Sequence, residues 1–218
     1  MEHVISGVAK FQKEVYPGKK AAFKKLANGQ NPEVLFITCA DSRIDPNLVT
    51  QSEPGDLFIC RNAGNVVPPH SNQTGGMTAS IEFAVAALGV SHIVVCGHSD
   101  CGAMKGAINT EALTSLPHVK EWLGHCRVAT EVVKERCGCS ELSAEEHLLM
   151  VTEENVVQQL QHLRTHPAVA AKIATGQVKL HGWFYNIETA AVTCYDEALG
   201  KFAPMSQTYA KELKAHNQ

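Results

Sequence analysis

The sequence predicts an α/β fold with a mostly parallel central β-sheet, about four parallel strands plus an antiparallel edge strand, flanked by helices and led by an N-terminal helical arm. Three observations carry that expectation. Short β-branched and aromatic runs at Val34-Leu35-Phe36-Ile37, Leu57-Phe58-Ile59-Cys60 and Ile93-Val94-Val95-Cys96 have the composition of buried strands. Helical patterns separate them, and strand, helix, strand in that order marks parallel pairing. Near the far end, Val178 to Tyr185 and Ala190 to Tyr195 flank Asn186 as a hairpin, which adds the antiparallel strand.

Taken in order, residues 1 to 27 read as the arm. Val4, Val8, Phe11 and Val15 recur at helical spacing, with Pro17-Gly18 expected to interrupt before the pattern resumes at Ala21. Asp45-Pro46 has the form of an N-cap followed by proline at the first helical position, opening a short helix through Val49. Pro54-Gly55-Asp56 turns the chain into the second strand. Gly75-Gly76 starts a helix from Met77 to Leu88 that is apolar or small on nearly every face, so it is expected to be buried, with Gly89 ending it. Residues 117 to 136 and 143 to 173 read as two long helical regions. No internal repeat, low-complexity segment or linker breaks the chain, so 1–218 is expected to be one domain, with the arm at 1–27 and the α/β core at 33–218.

Composition narrows the function classes. The 218 residues are 44% hydrophobic, ordinary for a globular core, and the net charge of -3 offers no footprint for nucleic acid or an anionic membrane. No apolar stretch approaches the roughly 20 residues of a membrane span, and the charged start lacks the apolar core of a signal peptide. A cytoplasmic protein with no nucleic-acid or membrane partner is the expectation. Eight cysteines in such a chain favour thiols and metal over disulfides. Cys60, Cys96, Cys126 and Cys194 fall in apolar runs and are expected in the core, whereas Cys137 and Cys139 are expected in a polar loop. His3, His70, His92, His118, His125, His147, His162, His166 and His216 are expected at the surface.

Two stretches carry the chemistry: Cys39-Ala40-Asp41-Ser42-Arg43 after the first strand, and Gly97-His98-Ser99-Asp100-Cys101-Gly102 after the third. The carboxyl ends of neighbouring parallel strands lie side by side, so the two stretches can converge on one crevice and gather Cys39, His98 and Cys101. Two thiolates and an imidazole form a three-ligand zinc set that leaves the fourth tetrahedral position open, which leans catalytic. Two thiolates also cancel the ion's formal charge, so lowering the pKa of a bound water needs a neighbour. Asp41 could accept that water's hydrogen bond or occupy the open position itself; Arg43 is placed to pair with Asp41 and keep it ionised. Gly102 would let backbone approach the metal, and the helix it opens has amides that favour a thiolate or an anion.

Taken singly, each part has a plainer reading, since a cysteine at a strand end is usually core and an Asp-x-Arg after a strand is usually a cap beside a surface cation. Together, Cys-Ala-Asp-Ser-Arg and Gly-His-Ser-Asp-Cys-Gly resemble the C-x-D-x-R and H-x-x-C signature of the β-class carbonic anhydrases, closest to the bacterial cyanate-associated and plant-like branches. The resemblance extends through Arg61-Asn62-Ala63-Gly64-Asn65 and Gly75-Gly76 to His181-Gly182-Trp183. It implies that Cys39, His98 and Cys101 hold one Zn2+ per chain, that Asp41 and Arg43 form the catalytic dyad, and that Gln30, Phe58, Phe83 and Gly102 meet the substrate. The implied reaction is reversible hydration of CO2 to bicarbonate and a proton by zinc-bound hydroxide. The implied assembly is a homodimer, or a tetramer or octamer of dimers, with the arm lying over the partner subunit.

Two departures stand out. Phe83 occupies a position that is often Tyr, which keeps the wall apolar and removes a hydroxyl. A branch inhibited through an off-site bicarbonate pocket has Trp where this chain has Phe36, although Arg61 and Tyr185 match that pocket's other positions, so weak or no bicarbonate regulation is expected. Two rival readings use the same residues: hydrolysis of CS2 or COS at the same ligands, and a non-enzymatic zinc-stabilised module with Asp41 permanently in the fourth position.

Overall fold

The computed structural model describes residues 1–137 and 142–210. The chain opens with α1 (Glu2–Lys10), a π-helical turn over Phe11–Val15, and α2 (Tyr16–Leu26). Pro17 does not interrupt the arm as its sequence suggests. It sits in the first turn of α2, where its missing N–H is not needed. No residue of either helix is buried, and the stripe of Val4, Ile5, Val8 and Phe11 faces solvent. The arm meets its own chain near its end, through the Lys19–Glu53 ion pair and the contact of Leu26 with Gly55.

Then follow β1 (Val34–Cys39), α3 (Pro46–Thr50), β2 (Leu57–Asn62), α4 (Gly76–Glu82) running on through a π turn to Ala87, and β3 (His92–His98). The Asp45 carboxylate accepts from the Asn47 and Leu48 amides, so the expected cap is in place. Gly89 stops the α4 segment with a left-handed φ of +71°. After β3 come α5 (Gly102–Ile108), α6 (Pro117–Trp122), α7 (Arg127–Cys137), α8 (Ala144–Thr165), α9 (Pro167–Ala174), β4 (Lys179–Tyr185), β5 (Val192–Asp196), β6 (Lys201–Pro204) and the short α10 (Met205–Thr208). A full capping box between Ser143 and Glu146 starts α8; Pro167 separates it from α9.

Among the described residues the strands form one sheet in the order β2-β1-β3-β4-β5-β6, with the first four parallel and the last two antiparallel. The parallel part is as expected. The antiparallel part is one strand longer, because β6 pairs with β5 and takes over the edge. Its four residues, Lys-Phe-Ala-Pro, are too short and too interrupted to carry a period-two signal.

One face of the sheet holds the main core, in which Leu35, Ile37, Ile93 and Val95 pack against Val156, Leu160 and Leu163 of α8. Each such side chain contributes on the order of 1.5–3 kcal/mol. The glycines of β3 and β4 let α8 lie close to the sheet: a Cβ on Gly97 would come within 2.9 Å of Val156, and one on Gly182 within 3.0 Å. The other face carries Phe36, Ile44, Val94 and Cys96 with Trp183 and Tyr185.

Cys96, Cys126 and Cys194 are buried as expected, and Cys60 is half-buried. Cys137 ends α7, with its Sγ 3.8 Å from the Met150 sulfur, rather than lying in a loop. Cys139 and His216 lie outside the described residues. Five histidines depart from the surface expectation: His125, His147 and His162 are half-buried, the last with Nδ1 2.7 Å from the Val67 carbonyl, and two more are held by partners. His166 is buried against the Pro68 carbonyl, and His92 begins β3 with its Nδ1 2.9 Å from His181 Nε2.

Candidate active site

Cys39 is the last residue of β1 and His98 the last of β3, and the two strands are neighbours in register. Cys101 follows His98 by one tight turn and caps α5. The turn requires a left-handed residue, supplied by Asp100 at φ +55°. The result is a buried cluster in which one ligand atom from each of Cys39, His98 and Cys101 lies within 4.8 Å of the others.

The two sulfurs stand 4.0 Å apart, close to the edge of a tetrahedron drawn around a metal with bonds of about 2.3 Å, which is about 3.8 Å. His98 Nδ1 donates to the Ser99 carbonyl at 2.8 Å, which assigns the other nitrogen the lone pair. That nitrogen, Nε2, is fully buried and has no hydrogen-bond partner. An unpaired buried imidazole nitrogen is costly in a core of protein alone, so the donor set fits a bound cation.

The thiols carry the same message. Cys39 is drawn down to about 4 by its hydrogen bond with Cys101, helped by His98 and the amides of Gly64 and Asp41, against the opposing effect of burial. Cys101 is pushed up by the same bond and then by burial, although the amides of Ala103 and Met104 oppose the rise. A divalent ion bound between the two sulfurs would take the place of their protons. For His98, burial acts downward, but the neighbouring Cys39 sulfur and the bond to the Ser99 carbonyl outweigh it and the pKa rises.

Asp41 stands at the rim with Oδ2 3.8 Å from His98 Nε2. Arg43 holds it in a fork: Nε donates to Oδ1 at 2.9 Å and Nη2 to Oδ2 at 2.8 Å, while the Arg43 amide also donates to Oδ1 at 3.0 Å. The side-chain bond to Arg43 is the chief reason its carboxyl lies well below the ordinary range. Both carboxylate oxygens are thus engaged with Arg43, and neither occupies a ligand position.

Residues without a role in the motif reading complete the frame. Arg61 donates to the carbonyls of Cys39 (3.0 Å), Asp41 (2.6 Å) and Ile44 (2.9 Å), so it shapes the loop that carries Asp41 and Arg43. The Gly64 amide donates to Cys39 Sγ at 3.4 Å, from a backbone with φ +83° that leaves no room for a Cβ beside Met104. The Ser99 hydroxyl accepts from the Ile187 amide and ties the ligand turn to the end of β4. The run Arg61-Asn62-Ala63-Gly64 was visible as a motif, but its targets are backbone atoms, which sequence spacing does not reveal.

The substrate-facing candidates divide. Gly102 opens α5 beside Cys101, with nothing within 4 Å of where its Cβ would be, so backbone is accessible there. Phe58 is not brought to the cluster of its own chain. It pairs with Leu35, whereas Cys39 pairs with Asn62, which puts it roughly 13 Å back along the sheet. Phe83 stays with Phe58, their ring centroids 6.1 Å apart, and is 48% exposed. Gln30 is exposed in the loop before β1. A cleft of about 600 Å³ opens next to Arg43 and Asp100, walled by Leu148, Leu149, Phe184 and Ile187.

Known proteins resemble this chain in sequence and in fold. The family model described as carbonic anhydrase matches residues 34–192. A carbonic anhydrase of Pseudomonas aeruginosa is 45% identical over 207 residues, covering 95% of this chain and 93% of the relative. Among solved structures, the β-carbonic anhydrase CcaA superposes with a TM-score of 0.90 at 42% identity, covering 94% of this chain and 98% of that one. One of two tetrameric β-carbonic anhydrases from Sordaria macrospora superposes with a TM-score of 0.80 at 30% identity, covering 93% and 98%. Matched along most of its length in sequence and in fold, with the ligand cluster at the ends of β1 and β3, the chain belongs to the β-class carbonic anhydrases.

Proposed function

We propose that this carbonic anhydrase, which interconverts CO2 and bicarbonate, works at a zinc site made by Cys39, His98 and Cys101, with Asp41 and Arg43 as its dyad. The observation that carries the proposal is the unpartnered, buried Nε2 of His98 beside two sulfurs 4.0 Å apart. Zinc bound there supplies the Lewis acidity that brings the ionisation of water towards neutral pH. Asp41, ionised and held by Arg43, accepts a hydrogen bond from the attacking oxygen and turns a lone pair towards the carbon of CO2. Gly102 leaves backbone room for bicarbonate.

Gln30, Phe58 and Phe83 take the substrate-facing role in a homodimer, each chain lending them to the other's zinc site. Their distance from the cluster of their own chain supports this, as do the solvent-facing apolar stripe on α1 and an apolar depression of about 430 Å³ between Phe36, Leu57, Trp183 and Tyr209. Higher assembly into tetramers or octamers of dimers follows the Sordaria macrospora relative, a tetramer. The chain acts as one domain and works in the cytoplasm; among the described residues no helix is long and apolar enough to cross a membrane.

Stopped-flow CO2 hydration from about pH 6.5 to about 9, with zinc measured on the same samples, tests the reading. Rapid turnover with about one zinc per chain, zinc lost in Cys101→Ser, and zinc kept but activity lost in Asp41→Asn would support it. Full activity in Asp41→Asn would remove the dyad.

A further inference from the structure

Arg43 does not stop at Asp41. Its Nη1 donates to Asp100 Oδ2 at 2.8 Å, and its Nη2 donates to the Asp100 backbone carbonyl at 3.1 Å, in addition to Asp41. The other Asp100 oxygen is taken by Lys105, one turn into α5. Asp41, Arg43, Asp100 and Lys105 therefore form a row of alternating charges from the rim of the metal cluster to the surface.

The Arg43 side chain is 43% exposed. An arginine so placed has many rotamers of similar energy, and its fork to Asp41 alone fixes one edge of the guanidinium and leaves the other free to turn. Asp100 grips the opposite edge of the same planar group with a side-chain and a backbone acceptor. It belongs to the turn between the ligands His98 and Cys101, so it ties the dyad to the metal-binding turn itself.

We propose that Asp100 is a positioning residue: it fixes the plane of the Arg43 guanidinium, and through it the Asp41 carboxylate, relative to the metal cluster. This rests on the dyad reading above. The backbone supports the assignment. Asp100 occupies a left-handed conformation that glycine would hold without strain, yet the position carries the one side chain that reaches both Arg43 and Lys105. Asparagine, which also tolerates this conformation, keeps an acceptor for Nη1.

The test compares Asp100→Gly, Asp100→Ser and Asp100→Asn in the zinc-loaded enzyme. Gly and Ser remove the carboxylate, and Gly does so with a relaxed backbone. We expect kcat/KM for CO2 to fall about 10-fold in both, as for the loss of a charge-assisted hydrogen bond, and Asn to restore most of it. Zinc content and thermal midpoint should stay at wild-type values in all three. Nitrogen-15 NMR gives a second readout, because the slowly exchanging Nε–H signal of Arg43, assigned by its loss in Arg43→Lys, should broaden or vanish in Gly and Ser and persist in Asn. Wild-type kcat/KM in zinc-loaded Gly or Ser, or Asn as damaging as Gly, would overturn the proposal. Full activity in Asp41→Asn strikes at the dyad instead, so the two failures are distinguishable.

Discussion

His98 Nε2 and Asp41 Oδ2 stand 3.8 Å apart, and they face opposite fates: the nitrogen has no hydrogen-bond partner, while the carboxylate is paired with Arg43. The cluster is therefore open to a cation, with the carboxylate at its rim.

Metal removal should follow from the orphaned nitrogen. A cation that binds the folded chain but not the unfolded one stabilises it by mass action, so stripping zinc with a chelator is expected to abolish CO2 hydration and lower the thermal midpoint by about 10 °C. His98→Ala should show the same midpoint with or without chelator. Calorimetry on matched samples checks both.

Glu153, half-buried on α8, has its carboxyl pushed up to about 7 by burial. A carboxyl raised above its unfolded value binds a proton in the native state that the unfolded state has released. Its contribution is therefore complete below about pH 4.3 and is lost as pH rises towards 7, after which it stays lost. Glu153→Gln should accordingly raise the urea midpoint at about pH 8 and leave it nearly unchanged at about pH 4. An equal shift at both values would show that packing, not ionisation, is responsible.

Gly182 lies under α8, where an added Cβ would sit 3.0 Å from Val156, 3.1 Å from Leu160 and 3.2 Å from Tyr195. None of these is the end of a long flexible chain. Gly182→Ala should cost about 1–3 kcal/mol through forced shifts of α8, read as a lower urea midpoint with an unchanged slope.

Regulation by bicarbonate away from the catalytic site should be weak or absent. Phe36 stands edge-on to Trp183, ring centroids 5.9 Å apart, and the Arg61 guanidinium already serves three backbone carbonyls. Activity measured against rising bicarbonate near pH 7 should decline without cooperativity; steep sigmoidal inhibition would contradict this.

Much of the site was legible because its chemistry is local. Cys39, Asp41 and Arg43 lie within five residues, as do His98 and Cys101, and each group follows a run whose composition already marks a buried strand. Asp100 was visible in the motif but silent, since its partners are Arg43 across the crevice and Lys105 on the next turn. The π turn before Pro17 and the short β6 left no periodic trace, and the burial of His166 depends on the Pro68 carbonyl, distant in sequence.

By itself the sequence pointed to the parallel strands, the Asp45 cap and the two motifs that bring Cys39, His98 and Cys101 together, because side-chain periodicity and motif spacing are properties of a few neighbouring residues. Only the tertiary structure decided that β1 and β3 adjoin, that Asp41 rests on Arg43 rather than in a ligand position, and that Phe58 and Phe83 lie at the far end of the sheet. Register between strands, the engagement of a guanidinium by two carboxylates and the direction of an orphaned nitrogen are set by groups that meet only when the whole chain has packed.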